Sequence, residues 1–269
     1  MKKIILSSMV LVLALSACNR ANKSTAISED NDKADLIFTD VFNVTSNEVS
    51  AAEDDALTNK NNQFAGLAVH DSCATVTYSF SNDSTYLDTI VIDYGNNTTC
   101  ETNGRVRRGI INVYLDGRFR EAGNSFTVVP EDFFLDDHQV EGSKTITNNG
   151  FETGTLNWQY SVDVSNGVVT TPDNERIEWE SNRTHTWRIF QGEFVIEGTA
   201  SGISRDGTAY SLAVTNPLIL KWGCRYITEG TLELTPDGLD TRSIDYGTGD
   251  CDANATVSIN NRDYNITLW

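Results

Sequence analysis

Residues 156–162, LNWQYSV, alternate apolar and polar side chains. Because successive side chains of a β-strand point to opposite faces, this alternation predicts a strand with one buried face and one face in water. The same pattern recurs at residues 76–80, 90–94, 111–115 and 264–268. About fourteen such runs, with no helical interval between them, predict an all-β antiparallel meander. An open sheet, a sandwich and a barrel all remain compatible with this pattern.

Dipeptides that tolerate positive φ separate many of these runs and indicate hairpin turns. They are Asn103-Gly104, Asp116-Gly117, Asn149-Gly150, Asn166-Gly167, Asp206-Gly207 and Asp237-Gly238.

One segment before the strands has a different period. Ile37, Val41 and Val44 recur at helical spacing, and Phe38 and Phe42 widen the apolar stripe. This spacing predicts one short amphipathic helix within residues 34–57, with a strand as the alternative.

The N-terminus carries the features of an export signal. Lys2 and Lys3 precede an apolar run at residues 4–15, which would span about 18 Å as a helix and is too short for a hydrocarbon core of about 30 Å. The sequence Leu15-Ser16-Ala17-Cys18 follows and resembles the lipobox of bacterial lipoproteins. That resemblance implies removal of residues 1–17, acylation of Cys18 and a lipid anchor in the outer membrane of the cell envelope, facing the periplasm or the cell surface.

Residues 18–33 are predicted to form a disordered tether between this anchor and a single β-rich domain at residues 34–269. The tether is polar and lacks aromatic residues, so it cannot bury enough surface to offset its ordering entropy.

Composition excludes several classes of protein. The chain has 269 residues, 38 acidic and 20 basic side chains, and a formal net charge of −18. Its negative mean hydropathy argues against a polytopic membrane protein. The acidic charge argues against a nucleic-acid partner, because phosphate contacts need clustered Lys and Arg.

Four further cysteines mark an internal repeat, at about residues 73–115 and 224–268. Both pairs, Cys73 with Cys100 and Cys224 with Cys251, are separated by 27 positions, and an Asp-Tyr-Gly tripeptide precedes each second cysteine. Hairpin geometry favours a disulfide within each pair, which suits an oxidising envelope. The alternative, a four-thiolate metal site, lacks a Cys-x-x-Cys half, so no metal or cofactor is predicted.

Several of these segments together resemble an uncharacterised family of Bacteroidetes-type envelope lipoproteins. They are the leader with Cys18, residues 73–76, 93–95 with Cys100, 140–145, 198–202, and 245–247 with Cys251. The resemblance covers most of residues 65–269. It implies the architecture and the location, and no activity.

Catalytic motifs are missing from the sequence. It has no Gly-x-Ser-x-Gly, no His-Glu-x-x-His and no phosphate loop, and its three histidines lie far apart. We therefore assign no catalytic residue.

Two groups of residues are candidates for ligand binding. Arg105, Arg107, Arg118 and Arg120 form a basic island that could receive an anionic ligand, although pairing with neighbouring acids is the plainer interpretation. Trp179 and Trp187 share strand parity and could stack on a glycan, although tryptophan in a strand more often supplies core area.

The sequence therefore predicts a lipid-anchored envelope protein with a non-catalytic binding or structural role, whose partners are the membrane and a possible glycan or lipid ligand. A lipid or glycan carrier is one alternative, and a glycan-processing enzyme is another.

Peptide mapping without reductant tests the disulfide pairing. We expect one linked peptide joining Cys73 to Cys100 and another joining Cys224 to Cys251. A link between Cys73 and Cys224, or free thiols in protein purified from the envelope, would contradict this assignment.

Overall fold

The computed structural model describes residues 24–58, 74–81, 86–96, 100–102 and 104–269. This part of the chain contains one helix followed by fourteen strands. They are α1 (Ala26–Thr58), β1 (Thr75–Phe80), β2 (Leu87–Asp93), β3 (Cys100–Thr102), β4 (Arg105–Leu115), β5 (Ser125–Leu135), β6 (His138–Glu152), β7 (Asn157–Thr170), β8 (Arg176–Arg188), β9 (Glu193–Ile203), β10 (Ala209–Lys221), β11 (Glu229–Pro236), β12 (Arg242–Thr248), β13 (Asn254–Ile259) and β14 (Arg262–Thr267).

The strands form one antiparallel sheet in chain order, which confirms the predicted meander. Thirteen of them follow one another from β1 to β14, and β3 pairs only with β4. β3 and β2 lie end to end along the same side of β4, opposite residues 105–107 and 110–114 respectively. The sheet is open, with β1 and β14 at its two ends.

The inner face of the sheet packs against α1. All residues from 27 to 42 are buried except Glu29, Lys33 and Asp40, which are half-buried. The ring of Phe38 stacks on Trp179 of β8, with 5.5 Å between ring centroids. A helix that is buried on all sides must be enclosed, so the sheet curls around α1.

Trp269, which follows β14, contacts side chains of β4 and β6. The Trp269 ring lies 3.8 Å from the Arg105 guanidinium of β4 and 4.8 Å from the His138 ring of β6. Arg105 also donates a hydrogen bond of 3.3 Å to the Trp269 carbonyl oxygen. These contacts bring the β14 end close to β4 and β6 without a strand pairing.

The helix is longer than the sequence pattern predicts. It has 33 residues and begins at Ala26, so residues 26–33 are helical and not part of a disordered tether. The prediction of a tether was wrong here because it assumed that polar residues stay in water. Asp30, Asn31 and Asp32 are instead buried against the sheet. Residues 1–23, which include the predicted leader, Cys18 and the first part of the tether, lie outside the described residues.

Two of the six turn dipeptides do not form turns. Asn149-Gly150 lies inside β6 and Asn166-Gly167 inside β7, each at a shift in strand register. Type I′ hairpin turns and G1 β-bulges both use positive φ, which Asn166 (52°) and Gly150 (104°) adopt. The dipeptide therefore does not distinguish a hairpin turn from a β-bulge. The remaining four, as far as the structure describes them, fall between strands.

The structure confirms the Cys224–Cys251 disulfide, with 5.8 Å between the two Cα atoms. It joins the β10–β11 loop to the β12–β13 loop. Cys73 and the Cys100 side chain lie outside the described residues, so their pairing stays a prediction.

The two Asp-Tyr-Gly tripeptides have the same local structure. The Asp93 carboxylate accepts a hydrogen bond from the Gly95 amide at 2.7 Å, and Asp245 accepts one from Gly247 at 2.8 Å. The tyrosine between them is buried in both copies. This correspondence supports the internal repeat, which otherwise stays a prediction.

Gly167, in the β7 bulge, leaves room for the helix. A Cβ atom there would collide with the Trp179 carbonyl oxygen and come within 2.9 Å of the Phe38 ring. A side chain on Gly167 would therefore push α1 away from the sheet.

The Gly167→Ala substitution should lower the free energy of unfolding by about 1–3 kcal/mol, because it overpacks the contact between Phe38 and the sheet. Urea denaturation measures the change. Gly154→Ala is the matched control, since a Cβ at that exposed turn glycine meets nothing within 4 Å. Equal stability of the two variants would contradict this account of the contact.

Candidate functional site

Three carboxylates of α1 each meet an arginine of the sheet. The pairs are Asp30 with Arg205, Asp35 with Arg183, and Asp40 with Arg107. Asp35 and Arg183 are both buried and lie 2.7 Å apart, and Arg107 donates to both oxygens of Asp40 at 2.7 Å. Removing one partner of a buried pair leaves an uncompensated charge, so these contacts fix the position of the helix.

The carboxyl group of Asp32, which lies between Asp30 and Asp35 in the sequence of α1, is also buried. It accepts a hydrogen bond of 2.6 Å from the Tyr246 hydroxyl of β12. Burial raises the pKa of Asp32 to about 7; the nearby Asp35 charge also raises it, and the Tyr246 hydrogen bond opposes the rise. The same burial raises the pKa of Tyr246 well above its usual value. Asp32 therefore exchanges a proton near neutral pH inside the protein.

Two basic side chains of the sheet are buried further along the helix. Lys144 of β6 donates a hydrogen bond of 2.7 Å to the Phe38 carbonyl oxygen, and burial lowers the pKa of its ammonium to about 7. His185 of β8 packs edge-on against Phe42. Burial, and then the charges of Lys144 and Arg183, hold the pKa of His185 well below its usual value. Both groups serve the contact between helix and sheet and do not face solvent.

Three arginines of the basic island each form an ion pair with a different acidic side chain. Arg105 pairs with Asp136 at 2.7 Å, Arg107 pairs with Asp40, and Arg120 pairs with Asp54 of α1 at 2.7 Å. Arg105 and Arg107 are buried, and Arg118 is exposed. Pairing with acids therefore describes Arg105, Arg107 and Arg120, but the acids lie on α1 and on the β5–β6 turn and not on adjacent strands.

The two candidate tryptophans occupy different environments. Trp179 is 2% exposed, stacks on Phe38 and donates a hydrogen bond of 3.0 Å to the Asn31 side chain. Its ring belongs to the packing of helix on sheet and is not available to a ligand in solution. Trp187 lies at the other end of β8 and is half-buried. The structure brings neither tryptophan together with the basic island.

Trp187 belongs to a row of four aromatic side chains that crosses four neighbouring strands. Phe151 of β6 lies opposite Trp158 of β7, Trp158 opposite Trp187, and Trp187 opposite Phe194 of β9. The ring centroids are 5.3 Å apart for Phe151 and Trp158 and 6.0 Å apart for Trp187 and Phe194. At the usual strand spacing the row is about 14 Å long. Phe42 of α1 touches Phe194, so the row extends the core toward one end of the sheet.

Exposed apolar side chains continue this row into the adjacent turns. Phe190, in the β8–β9 turn, is 77% exposed, and Trp222, in the β10–β11 loop, is 78% exposed. The Trp222 amide donates a hydrogen bond of 2.7 Å to the Gly192 carbonyl oxygen, which ties the two turns together. We name the whole surface the aromatic rim: Phe151, Leu156, Trp158, Trp187, Ile189, Phe190, Phe194 and Trp222.

The aromatic rim collects most of the exposed large apolar side chains in the described residues. Five of the seven lie in it, and the other two are Tyr114 and Ile203. Sequence reasoning missed this surface. The available signal was the placement of Ile189-Phe190 and Trp222 next to glycines in turns, where polar residues are the norm.

The described ranges contain no group of three or more His, Cys, Asp or Glu side chains that could hold a metal ion. Their single helix is not apolar enough to cross a membrane.

Comparison with known proteins gives no relative: no protein-family model, curated protein or solved structure matches this chain.

The Asp32→Asn variant tests the buried carboxyl. Because the folded pKa is raised above the unfolded value of 3.8, wild-type Asp32 loses its stabilising contribution as pH rises from about 4 to about 7. The asparagine keeps an acceptor for Tyr246 and cannot ionise. We therefore expect its stability relative to wild type to increase between pH 5 and pH 8 in urea titrations. A difference that does not vary with pH would contradict the raised pKa, and comparison of the two proteins cancels the titrations of Lys144 and His185.

Proposed function

We propose that this protein is a lipid-anchored protein of the cell envelope with a non-catalytic binding or structural role. The lipobox-like sequence that ends at Cys18 supports the anchor, and the enclosed helix is the observation that carries the non-catalytic role. The concave face of the sheet, where a β-rich protein would form a ligand cavity, is occupied by α1 between residues 27 and 42. Most of the exposed large apolar side chains of the described residues lie in the aromatic rim, which is the candidate surface for recognition.

The buried carboxylates support a non-catalytic role. A glycosidase needs two carboxylates that flank a substrate at separations of about 5–9.5 Å. Asp30, Asp35 and Asp40 are instead bound to arginines of the sheet and its turns; Asp30 and Asp35 are buried and Asp40 is half-buried. In this position they stabilise the fold and do not meet a substrate.

The same packing argues against a lipid carrier. A carrier needs an apolar concavity that a lipid can enter. Phe38 and Phe42 project from α1 onto the concave face and contact Trp179, His185 and Phe194 there. The helix thus fills the volume that an acyl chain would need.

Glycan binding is a second candidate function, and the aromatic row favours it. A line of aromatic rings in cross-strand register can stack on successive sugar rings. Phe151, Trp158, Trp187 and Phe194 form such a line, and Phe151 is 40% exposed.

Metabolic labelling tests the lipid anchor. Cells that express the full chain and are fed an alkyne-labelled fatty acid should incorporate the label and retain the protein in the membrane fraction. Cys18→Ala should abolish both, because the thiol is the proposed acceptor. Ser24→Ala, outside the lipobox, is the matched control. Labelling that persists in Cys18→Ala, or a soluble and unlabelled wild type, would contradict the proposal.

A further inference from the structure

We propose that the contact between Trp269 and the start of β6 is sensitive to acid: it holds while the His138 ring is neutral and opens when that ring gains a proton. We name the group of side chains that meet here the closing contact: Lys33, Arg105, Asp136, His138 and Trp269. Such a response needs neither the lipid anchor nor a ligand, so it goes beyond the proposed function.

His138 lies at the centre of the closing contact and is only 6% exposed. Its Nδ1 lies 2.8 Å from the Asp136 carbonyl oxygen. Because a carbonyl oxygen only accepts, Nδ1 carries the ring hydrogen and Nε2 keeps its lone pair. The Lys33 ammonium lies 3.3 Å from Nε2 and donates to it. The neutral ring therefore satisfies both neighbours.

The Trp269 ring has basic groups on several sides. It packs edge-on against His138, with 4.8 Å between ring centroids. The Arg105 guanidinium lies 3.8 Å from its centroid and the Lys33 ammonium 6.0 Å from it. A proton on Nε2 of His138 would face Lys33 at 3.3 Å and add a third cation beside the same ring. Like charges at this distance repel, and burial strengthens the repulsion.

The acidic side chains next to His138 are bound to other groups. The Asp136 carboxylate accepts hydrogen bonds of 2.7 Å from Arg105 and from the Val106 amide. Asp137, which immediately precedes His138, pairs with Arg108, and its side chain is 70% exposed. Neither carboxylate is placed to accept a hydrogen bond from Nε2, whose neighbour is the lysine.

Lys33 itself faces charges of both signs. Burial, and then the charge of Arg205, lower its pKa, while Asp30, Glu175 and Glu29 oppose the shift. Asp30 and Glu175 are also bound to Arg205. Two of the three acids near Lys33 thus already have a second cationic partner, and they leave little charge to offset a proton on His138.

The direction of the response follows from the proton affinity of His138. Burial lowers its pKa below 6.5, and the charge of Lys33 also lowers it, while the hydrogen bond to the Asp136 carbonyl and the Asp136 charge oppose the shift. The closed arrangement therefore binds a proton more weakly than an exposed histidine does. A group with a depressed folded pKa loses its stabilising contribution as pH falls through that pKa. Acid below pH 6.5 thus favours an arrangement that exposes His138.

Trp269 is the part of the closing contact that can move most easily. It follows β14, whose paired residues end at Thr267, so the described strand ladders do not include it. Its carbonyl oxygen accepts a hydrogen bond of 3.3 Å from Arg105. His138 is instead paired with Leu135 in the ladder of β5 and β6. Local opening follows the element with the fewest backbone bonds, so release of Trp269 is the way to expose the His138 ring.

Fluorine NMR tests this response on the complete chain, with fluorotryptophan in place of tryptophan. The Trp269 resonance is the one that is missing from the Trp269→Phe variant. Between about pH 8 and about pH 4.5 we expect it to move and to gain the isotope shift between light and heavy water that marks an exposed ring. The midpoint should lie below pH 6.5. The resonances of Trp158, Trp187 and Trp222 should stay in place.

Four variants separate the proposed cause from other titrations. His138→Gln should abolish the response, because glutamine cannot gain the charge. Lys33→Gln removes the repulsion, so Trp269 should stay in place as pH falls. Lys221→Gln is the matched control, since Lys221 is an exposed lysine of β10, and it should keep the full response. Asp32→Asn should also keep it, because the buried carboxyl is not the proposed cause.

A change confined to Trp269 that is lost in His138→Gln and in Lys33→Gln supports the inference. A Trp269 resonance that stays constant, or that changes equally in either of these two variants, overturns it. Loss of the response in Lys221→Gln or in Asp32→Asn overturns it as well, because another charge is then responsible. A simultaneous change of all tryptophan resonances reports unfolding of the whole protein and has the same consequence.

Discussion

The rest of the structure depends on one constraint: the sheet encloses α1, and arginines of the sheet and its turns pair with carboxylates of the helix. Arg183, Arg205 and Arg107 each bind a carboxylate of α1, on strands or turns that are far apart in the sheet. Buried charges are costly unless they are paired, so the sheet must keep these arginines opposite their acids. The curl of the sheet, the glycine in the β7 bulge and the return of Trp269 to β4 all preserve that arrangement.

This constraint also explains where the ionisable groups with shifted pKa values lie. In a cleft, a carboxyl with a pKa near 7, a lysine with a pKa near 7 and a histidine held neutral would suggest acid–base catalysis. Here burial causes all three shifts, and the groups are covered by the helix that they help to hold. The shifted pKa values of these three groups therefore reflect burial at the contact between helix and sheet.

The sequence predicts the parts of this structure that depend on local periodicity. Alternation in residues such as 156–162 gives the strands and the meander, and the 27-residue spacing gives Cys224–Cys251. It does not predict the helix start, because Asp30 and Asp32 look like tether residues until their partners, Arg205 and Tyr246, are known. Nor does it separate the bulge at Asn166-Gly167 from a turn. The sequence also does not predict that Phe190 and Trp222 lie on one exposed surface. That surface forms where two turns 32 residues apart in the chain meet, and a local sequence pattern does not show such a contact.

Several contacts of α1 join residues that are far apart in the chain, and this affects how the protein folds. Asp30 meets Arg205 across 175 positions of the chain, and Asp32 meets Tyr246 across 214. The helix precedes the strands in the described chain, yet the partners of Asp30 and Asp32 lie in the β9–β10 turn and in β12, so these two side chains have no native partners until most of the polypeptide is present. Such non-local pairing slows folding. The N-terminal end of α1 therefore completes its native contacts only after β12 has been synthesised.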